Sequence, residues 1–298
     1  MRYSRMAAKP PKSKKKFTNF VLVIIILGIA AYLIGAGAAG SWLAENVIDP
    51  VFNNGKSNAA TPTPLPGEPS PELPGALISP VTLPESSGVR AEEEVTAKEI
   101  SLFSLQTGAF SDEKNAKTSA TELKTKGGAG YVAYDGKLYR VLVAGYTSAD
   151  DANEVKTSLK GQSIDATVYN LKSGTLSFKI GAVQSQIDAV KACFDAVPYA
   201  VDTLQQIIFS SDKGGKVDAD IDSLKEKMTG VLTNFSASVS SEEGAISSLR
   251  TYMQGFCETI NNIPLSSSVS SVEFSSNLKY TLIDITVGYS DFLSSLRK

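Results

Sequence analysis

Hydrophobic and polar positions alternate in short runs through the middle of the chain, between Glu99 and Leu171. Alternation with a period of two predicts β-strands, in which neighbouring side chains point to opposite faces. The four predicted strands cover residues 100–107, 130–134, 138–144 and 166–169. The two segments between the first and second strands and between the third and fourth have helical spacing instead. The order is βαββαβ, which predicts an α+β domain with a four-stranded antiparallel sheet and both helices on one face.

Turn and cap residues support these boundaries. Ser111 and Ser148 each precede a helical segment that opens with acidic residues, as N-caps do. Gly127 and Gly128 predict the end of the first helix. The sequence Asp135-Gly136-Lys137 predicts a hairpin turn between the second and third strands.

The pattern changes to helical spacing in the last third of the chain. Apolar residues recur every three or four positions in four stripes: Ile180 to Val197, Val217 to Val231, Ile246 to Ile260 and Leu278 to Leu296. Pro198 is expected to bend or break the first of these helices. Ser240 and Glu243 fit a capping box before the third. Residues 178–298 are therefore predicted to form an all-α bundle of about four helices.

The first 43 residues have the pattern of a membrane anchor. Residues 1–16 are basic and contain no acid, and residues 17–43 form an uncharged apolar run long enough to span a bilayer. The basic tail is expected in the cytoplasm, which places the rest of a single-pass protein on the outer side of the membrane. Residues 36–41 also resemble a signal-peptidase site, so cleavage remains an alternative.

Residues 44–98 are dense in Pro, Gly, Ser and Thr and contain few large apolar side chains. This composition predicts a disordered linker. Proline-rich chains extend by about 3.1 Å per residue, so the linker could reach on the order of 100 Å from the bilayer.

Composition narrows the chemistry that is available. The chain has no histidine and a net charge of −2. The first fact argues against zinc sites built on imidazole and against Ser/His or Cys/His catalysis, and the second argues against nucleic acid as the main partner. No cofactor, metal site or catalytic residue is predicted. Cys193 and Cys257 are compatible either with a disulfide or with two small core residues.

Two strand-to-helix turns carry a recognisable motif. Residues 106–110 read Gln-Thr-Gly-Ala-Phe and are followed by Asn115-Ala116, and residues 139–141 and 145–146 read Tyr-Arg-Val and Gly-Tyr. In this order and spacing, residues 99–172 resemble a SPOR (sporulation-related repeat) domain. The resemblance implies binding of peptidoglycan glycan strands that have lost their stem peptides, and enrichment at division or sporulation septa. It also implies that the sheet face without helices is the binding surface.

The alternation of side chains assigns residues to that face. Ser104 and Gln106 lie opposite Phe103 and Leu105, and Arg140 shares its side of the third strand with two leucines. Glutamine and arginine can hydrogen-bond the hydroxyl and acetamido groups of a glycan, and leucine offers an apolar platform. The predicted glycan-binding residues are Gln106, Arg140, Ser104, Ala109, Leu138 and Leu142. Tyr131, Tyr134 and Tyr169 are further stacking candidates whose facing the sequence leaves open.

Other interpretations remain open from the sequence. Gln106 could cap a backbone group, and Arg140 could pair with an acid such as Asp135. The helical bundle could bind another division or envelope protein, while the SPOR domain directs the chain to the septum. A cell-wall hydrolase is also conceivable, but the acidic residues of the bundle (Glu226, Glu242, Glu243 and Glu258) form no recognisable constellation.

Overall fold

The computed structural model describes residues 76–77, 80–83, 88–161, 164–240 and 243–297. They belong to one compact unit, Pro62–Lys298. Within these ranges no helix combines the length and apolar character that crossing a membrane requires. The predicted basic tail, the predicted membrane segment 17–43 and the linker as far as residue 75 lie outside the described residues.

The described residues form eight strands and six helices. In chain order they are β1 Ala76–Leu77, β2 Val81–Thr82, β3 Arg90–Ala97, β4 Ser101–Phe110, α1 Glu113–Lys124, β5 Tyr131–Tyr134, β6 Tyr139–Tyr146, α2 Ala149–Gly161, β7 Thr167–Lys172, β8 Leu176–Val183, α3 Gln184–Asp212, α4 Asp218–Ser238, α5 Gly244–Asn261 and α6 Ser271–Leu296.

The central sheet has the strand order β5-β6-β4-β7, and every neighbouring pair is antiparallel. Helix α1 packs on it through a cluster around Ala116 and Val141, and α2 packs through a cluster around Leu105, Ala144 and Ala152. The predicted βαββαβ order is confirmed. The cap of α1 is Asp112 rather than the predicted Ser111, since its carboxylate accepts the Asn115 N–H at 2.9 Å.

A second sheet lies where the sequence predicted linker and helix. Strand β8 pairs in parallel with β1 and β2 and antiparallel with β3. The predicted linker therefore extended too far, because β3 begins at Arg90. The predicted first bundle helix began too early, because residues 176–183 form β8. Leu176, Phe178, Ile180 and Ala182 are buried at alternate positions, which is the period of a strand.

Helices α3 to α6 form the predicted helical region at the C-terminal end. Each packs against the next, and α6 also packs against α3. Pro198 lies inside α3 and does not end it, in a stretch where Val197, Ala200 and Val201 are buried. The capping box predicted from Ser240 is wrong, because Glu243 is the N-cap of α5 and makes no side-chain cap hydrogen bond. Cys193 and Cys257 are both buried free thiols.

The sheet and the bundle share one hydrophobic core. Leu102, Ala129 and Leu142 of the sheet region belong to the same cluster as the buried side chains of α3 to α6. Helix α6 contacts all four strands of the central sheet. The sheet face that the sequence left uncovered is therefore partly covered by the last helix.

Candidate functional site

The register of the central sheet brings the predicted site residues onto one face. Gln106 pairs with Leu142, and Ala109 pairs with Arg140. The register shifts on either side of Gln106, between Leu105 and Gln106 and between Gln106 and Gly108. Thr107 is one of the extra residues, and the bulge turns Ala109 rather than Gly108 to the side of Arg140. Side chains of paired residues point to the same face, so Gln106, Ala109, Arg140 and Leu142 share it.

Arg140 is the centre of the polar contacts on this face. Its Nη1 donates to Gln106 Oε1 at 2.8 Å, and its Nε donates to Asp135 Oδ2 at 2.6 Å. The guanidinium also lies 4.7 Å from the centroid of the Tyr169 ring. The ion pair with Asp135, which the sequence left as an alternative, is thus present beside the predicted contact with Gln106. Arg140 Nη2 also lies 2.5 Å from Asp135 Oδ2. Three of the five N–H donors of the guanidinium are thus engaged, which leaves one on Nη1 and one on Nη2 for a ligand.

Asp135 stabilises the hairpin turn between β5 and β6 and also positions Arg140. Its Oδ1 accepts the backbone N–H groups of Leu138 at 2.7 Å and of Lys137 at 2.9 Å. These bonds, that of Leu138 first, together with Arg140 keep the pKa of Asp135 below its usual value. The carboxylate therefore stays ionised and anchors Arg140 at neutral pH. From the sequence, Asp135 is only a possible ion-pair partner of Arg140, whereas in the structure it also positions that arginine.

The accessible part of the face is a small area that we term the outer strip: Gln106, Ala109, Leu138 and Arg140. Ala109 is exposed, and the other three are half-buried. The strip combines an amide NH2 group, a guanidinium, one short side chain and one apolar side chain. This set can donate hydrogen bonds to a ligand and leaves room for it above Ala109.

Two predicted site residues lie on the same face but not on its surface. Ser104 and Leu142 are both 0% exposed, under the region that α6 covers. The expectation that they meet a ligand is corrected, because the bundle occupies the space above them. The hydroxyl of Ser104 has no hydrogen-bond partner among the described residues.

Residues of the central sheet and of α6 together form the border between the covered and the accessible parts of this face. Tyr131, which pairs with Leu142, packs against Tyr280 of α6 with ring centroids 5.1 Å apart. Asp284 follows Tyr280 by one turn of α6. Burial raises the pKa of Asp284, and the Tyr131 hydroxyl opposes that rise. Neither Tyr280 nor Asp284 could be assigned to the site from strand patterns, because both come from the bundle.

The Asp284→Asn variant tests the cost of this buried carboxyl group. A raised pKa in the folded state means that Asp284 favours folding when protonated, below its unfolded pKa of about 3.9. That benefit is lost as the pH rises through the folded pKa. Asparagine keeps an acceptor for Tyr131 without the charge, so we expect Tm at pH 7 to rise by about 1–3 °C, with no gain at pH 3.5. Thermal unfolding of both proteins at the two pH values measures this, and a lower Tm at pH 7 would contradict it.

The remaining aromatic candidates divide between the two faces. Tyr169 supports Arg140 on the face of the outer strip. Tyr134 is 59% exposed, but it pairs with Tyr139, which packs in the cluster beneath α1. Tyr134 therefore stands on the opposite face and is not part of the strip.

Residues 101–170 match the family model of the SPOR domain, which confirms the resemblance inferred from the motifs. The C-terminal helical region has no family match. Neither a curated protein nor a solved structure matches the chain.

Proposed function

From the premise that residues 101–170 are a SPOR domain, we propose that this protein binds peptidoglycan glycan strands without cleaving them. The outer strip is the binding surface, with Gln106 and Arg140 as its polar contacts. Leu138 and Ala109 complete the surface. The protein acts at the division or sporulation septum, where glycan strands without stem peptides are exposed.

One observation carries the proposal: an amide and a guanidinium are hydrogen-bonded to each other, at 2.8 Å, on an accessible part of the sheet. A glycan presents hydroxyl and acetamido groups, which both donate and accept hydrogen bonds. Removal of a stem peptide also frees a carboxylate on the sugar that carried it. Arginine binds carboxylates through a planar fork of N–H donors, so a stripped strand offers Arg140 a partner that an intact strand lacks.

The N-terminal segments fit this function as a tether. Residues 17–43 are proposed to be a single transmembrane helix with residues 1–16 in the cytoplasm. The Pro-rich segment that follows would carry the folded unit towards the cell wall. The protein is then a single-pass membrane protein whose folded part faces the wall.

The alternative in which the bundle docks another envelope protein has less support. In the described part of the chain, the large apolar side chains that are exposed are Val89, Tyr134, Tyr199 and Val272. They belong to four different segments, so no single described helix or strand presents a row of exposed large apolar side chains of the kind that mediates docking.

Co-sedimentation with purified cell-wall sacculi tests the proposal. We expect the full-length chain to sediment with sacculi whose stem peptides were removed by an amidase, and much less with untreated sacculi. Equal sedimentation with treated and untreated sacculi would contradict the preference for stripped glycan. No sedimentation with either kind of sacculi would contradict the proposed function. The supernatant should contain no released sugar fragments, and their appearance would favour a hydrolase instead.

A further inference from the structure

Hydrogen bonds tie helix α6 to the central sheet and to the loops beside it. Near its start, Ser275 Oγ donates to the Gly127 carbonyl, in the loop before β5, at 3.4 Å. About three quarters along, Ser290 Oγ donates to the Lys172 carbonyl of β7 at 3.3 Å. Just beyond its end, Arg297 Nη2 donates to the Thr175 carbonyl at 3.0 Å. The helix therefore crosses the sheet from the β5 side to the β7 side.

The part of the sheet beneath α6, which we term the inner half, is made of Leu102, Ser104, Leu142 and Leu171. Leu102 pairs with Leu171, and both are in the core that the sheet shares with the bundle. Lifting α6 would expose these leucines together with the apolar side of the helix. Burial of large apolar side chains is the main driving force for folding, and a polar sugar ligand offers little to replace it.

The border of the cover passes through the row of paired residues Tyr131, Leu142 and Gln106. In the next row, Ala133 packs against the shared core, Arg140 is half-buried and Ala109 is exposed. Exposure therefore increases across this row from β5 to β4.

We propose that α6 is a fixed wall of the glycan site. The inference rests on the proposed function and deepens it. A glycan strand binds along the outer strip alone, while α6 stays in place and the inner half stays covered.

A cysteine pair tests whether the wall is fixed. Ser104→Cys places a thiol of nearly the same size in the inner half, where its hydroxyl has no hydrogen-bond partner among the described residues. Ala109→Cys places one on the exposed strip of the same strand. The parent chain supplies the baseline, because Cys193 and Cys257 are buried.

Both full-length variants are treated with a thiol-reactive fluorophore, with and without amidase-treated sacculi. We expect Ala109→Cys to be labelled and to be protected by sacculi, and Ser104→Cys to stay unlabelled in both conditions. Labelling of Ser104→Cys only with sacculi would show that α6 moves away to admit glycan and would overturn the proposal. Labelling without sacculi would show that the inner half is open from the start, which overturns it as well.

If the parent itself does not bind sacculi, the proposed function fails, while labelling without sacculi still reports whether the wall is in place.

Discussion

Replacing Arg140 with alanine is expected to lower the affinity for amidase-treated sacculi by about tenfold or more. A hydrogen bond to a charged group contributes about 1.5–3 kcal/mol, and 1.4 kcal/mol corresponds to a factor of ten. The fold should survive, because Asp135 keeps its bonds to the N–H groups of Leu138 and Lys137 when the arginine is absent. Quantitative co-sedimentation measures the affinity, and circular dichroism checks the fold.

Three variants control this result. Lys137→Ala removes a positive charge from the same hairpin, at an exposed position outside the outer strip, and should change the affinity less than about twofold. Arg140→Lys keeps the charge but loses the planar fork, so it should fall between alanine and the parent. Gln106→Ala removes one partner of Arg140 and should weaken binding less than Arg140→Ala. If Arg140→Ala binds as tightly as Lys137→Ala, the outer strip is not the glycan site.

The face on which these residues lie could be predicted because strands alternate strictly. The assignment of Gln106 and Arg140 to one face follows from their positions relative to Leu105 and Val141. The face of Ala109 could not be predicted in this way, because strict alternation from Gln106 places Gly108, and not Ala109, on the side of Arg140. A bulge at Thr107 changes the count, and no single side chain in the sequence indicates an extra residue of this kind.

The cover over the inner half was not predicted, although the sequence carries a sign of it. Leu102, Phe103 and Leu105 supply apolar side chains to both faces of the first half of β4. Such strands are typical of sheets that are buried on both sides. The outer half of the same strand, with Gln106 and Ala109, lacks that feature. What the sequence does not reveal is which segment provides the cover, because α6 has the same amphipathic spacing as the other bundle helices.

The helix predicted to begin near Phe178 proved wrong for residues 178–183, which belong to β8, because their apolar spacing fits both a helix and a strand. Ile180 and Val183 are three residues apart, a spacing that fits a helix continuing into Ile187. The same stretch alternates from Leu176 to Ala182, which fits a strand, and tertiary pairing decides between the two. Its partners come from a segment rich in Pro and Glu, where Arg90 to Ala97 has no strong strand signal of its own.

A carboxylate in the inner half is expected to unfold the sheet and the bundle together. In Leu142→Glu, an ionisable group replaces a fully buried leucine within the shared core, and the loss of stability should be about 4 kcal/mol or more. For a folded unit of this size, that corresponds to a fall in Tm of roughly 8–16 °C. Thermal unfolding followed at 222 nm reports mainly the helices. Near-ultraviolet circular dichroism reports the packing of the tyrosines, including Tyr131 and Tyr280 where the sheet meets α6.

Ala109→Glu introduces the same group on the same strand but on the exposed outer strip, and we expect its Tm to remain within about 2 °C of the parent. Because one core joins the sheet and α6, both optical signals of Leu142→Glu should shift together in one transition. A detachable α6 would give a different result. Leu142 would then lie on an open face that tolerates glutamate, the contribution of Tyr131 and Tyr280 to the near-ultraviolet signal would be lost at low temperature, and the helices would keep the parent's Tm. That outcome would mean that the bundle and the sheet are independent modules and that the whole face is available to glycan.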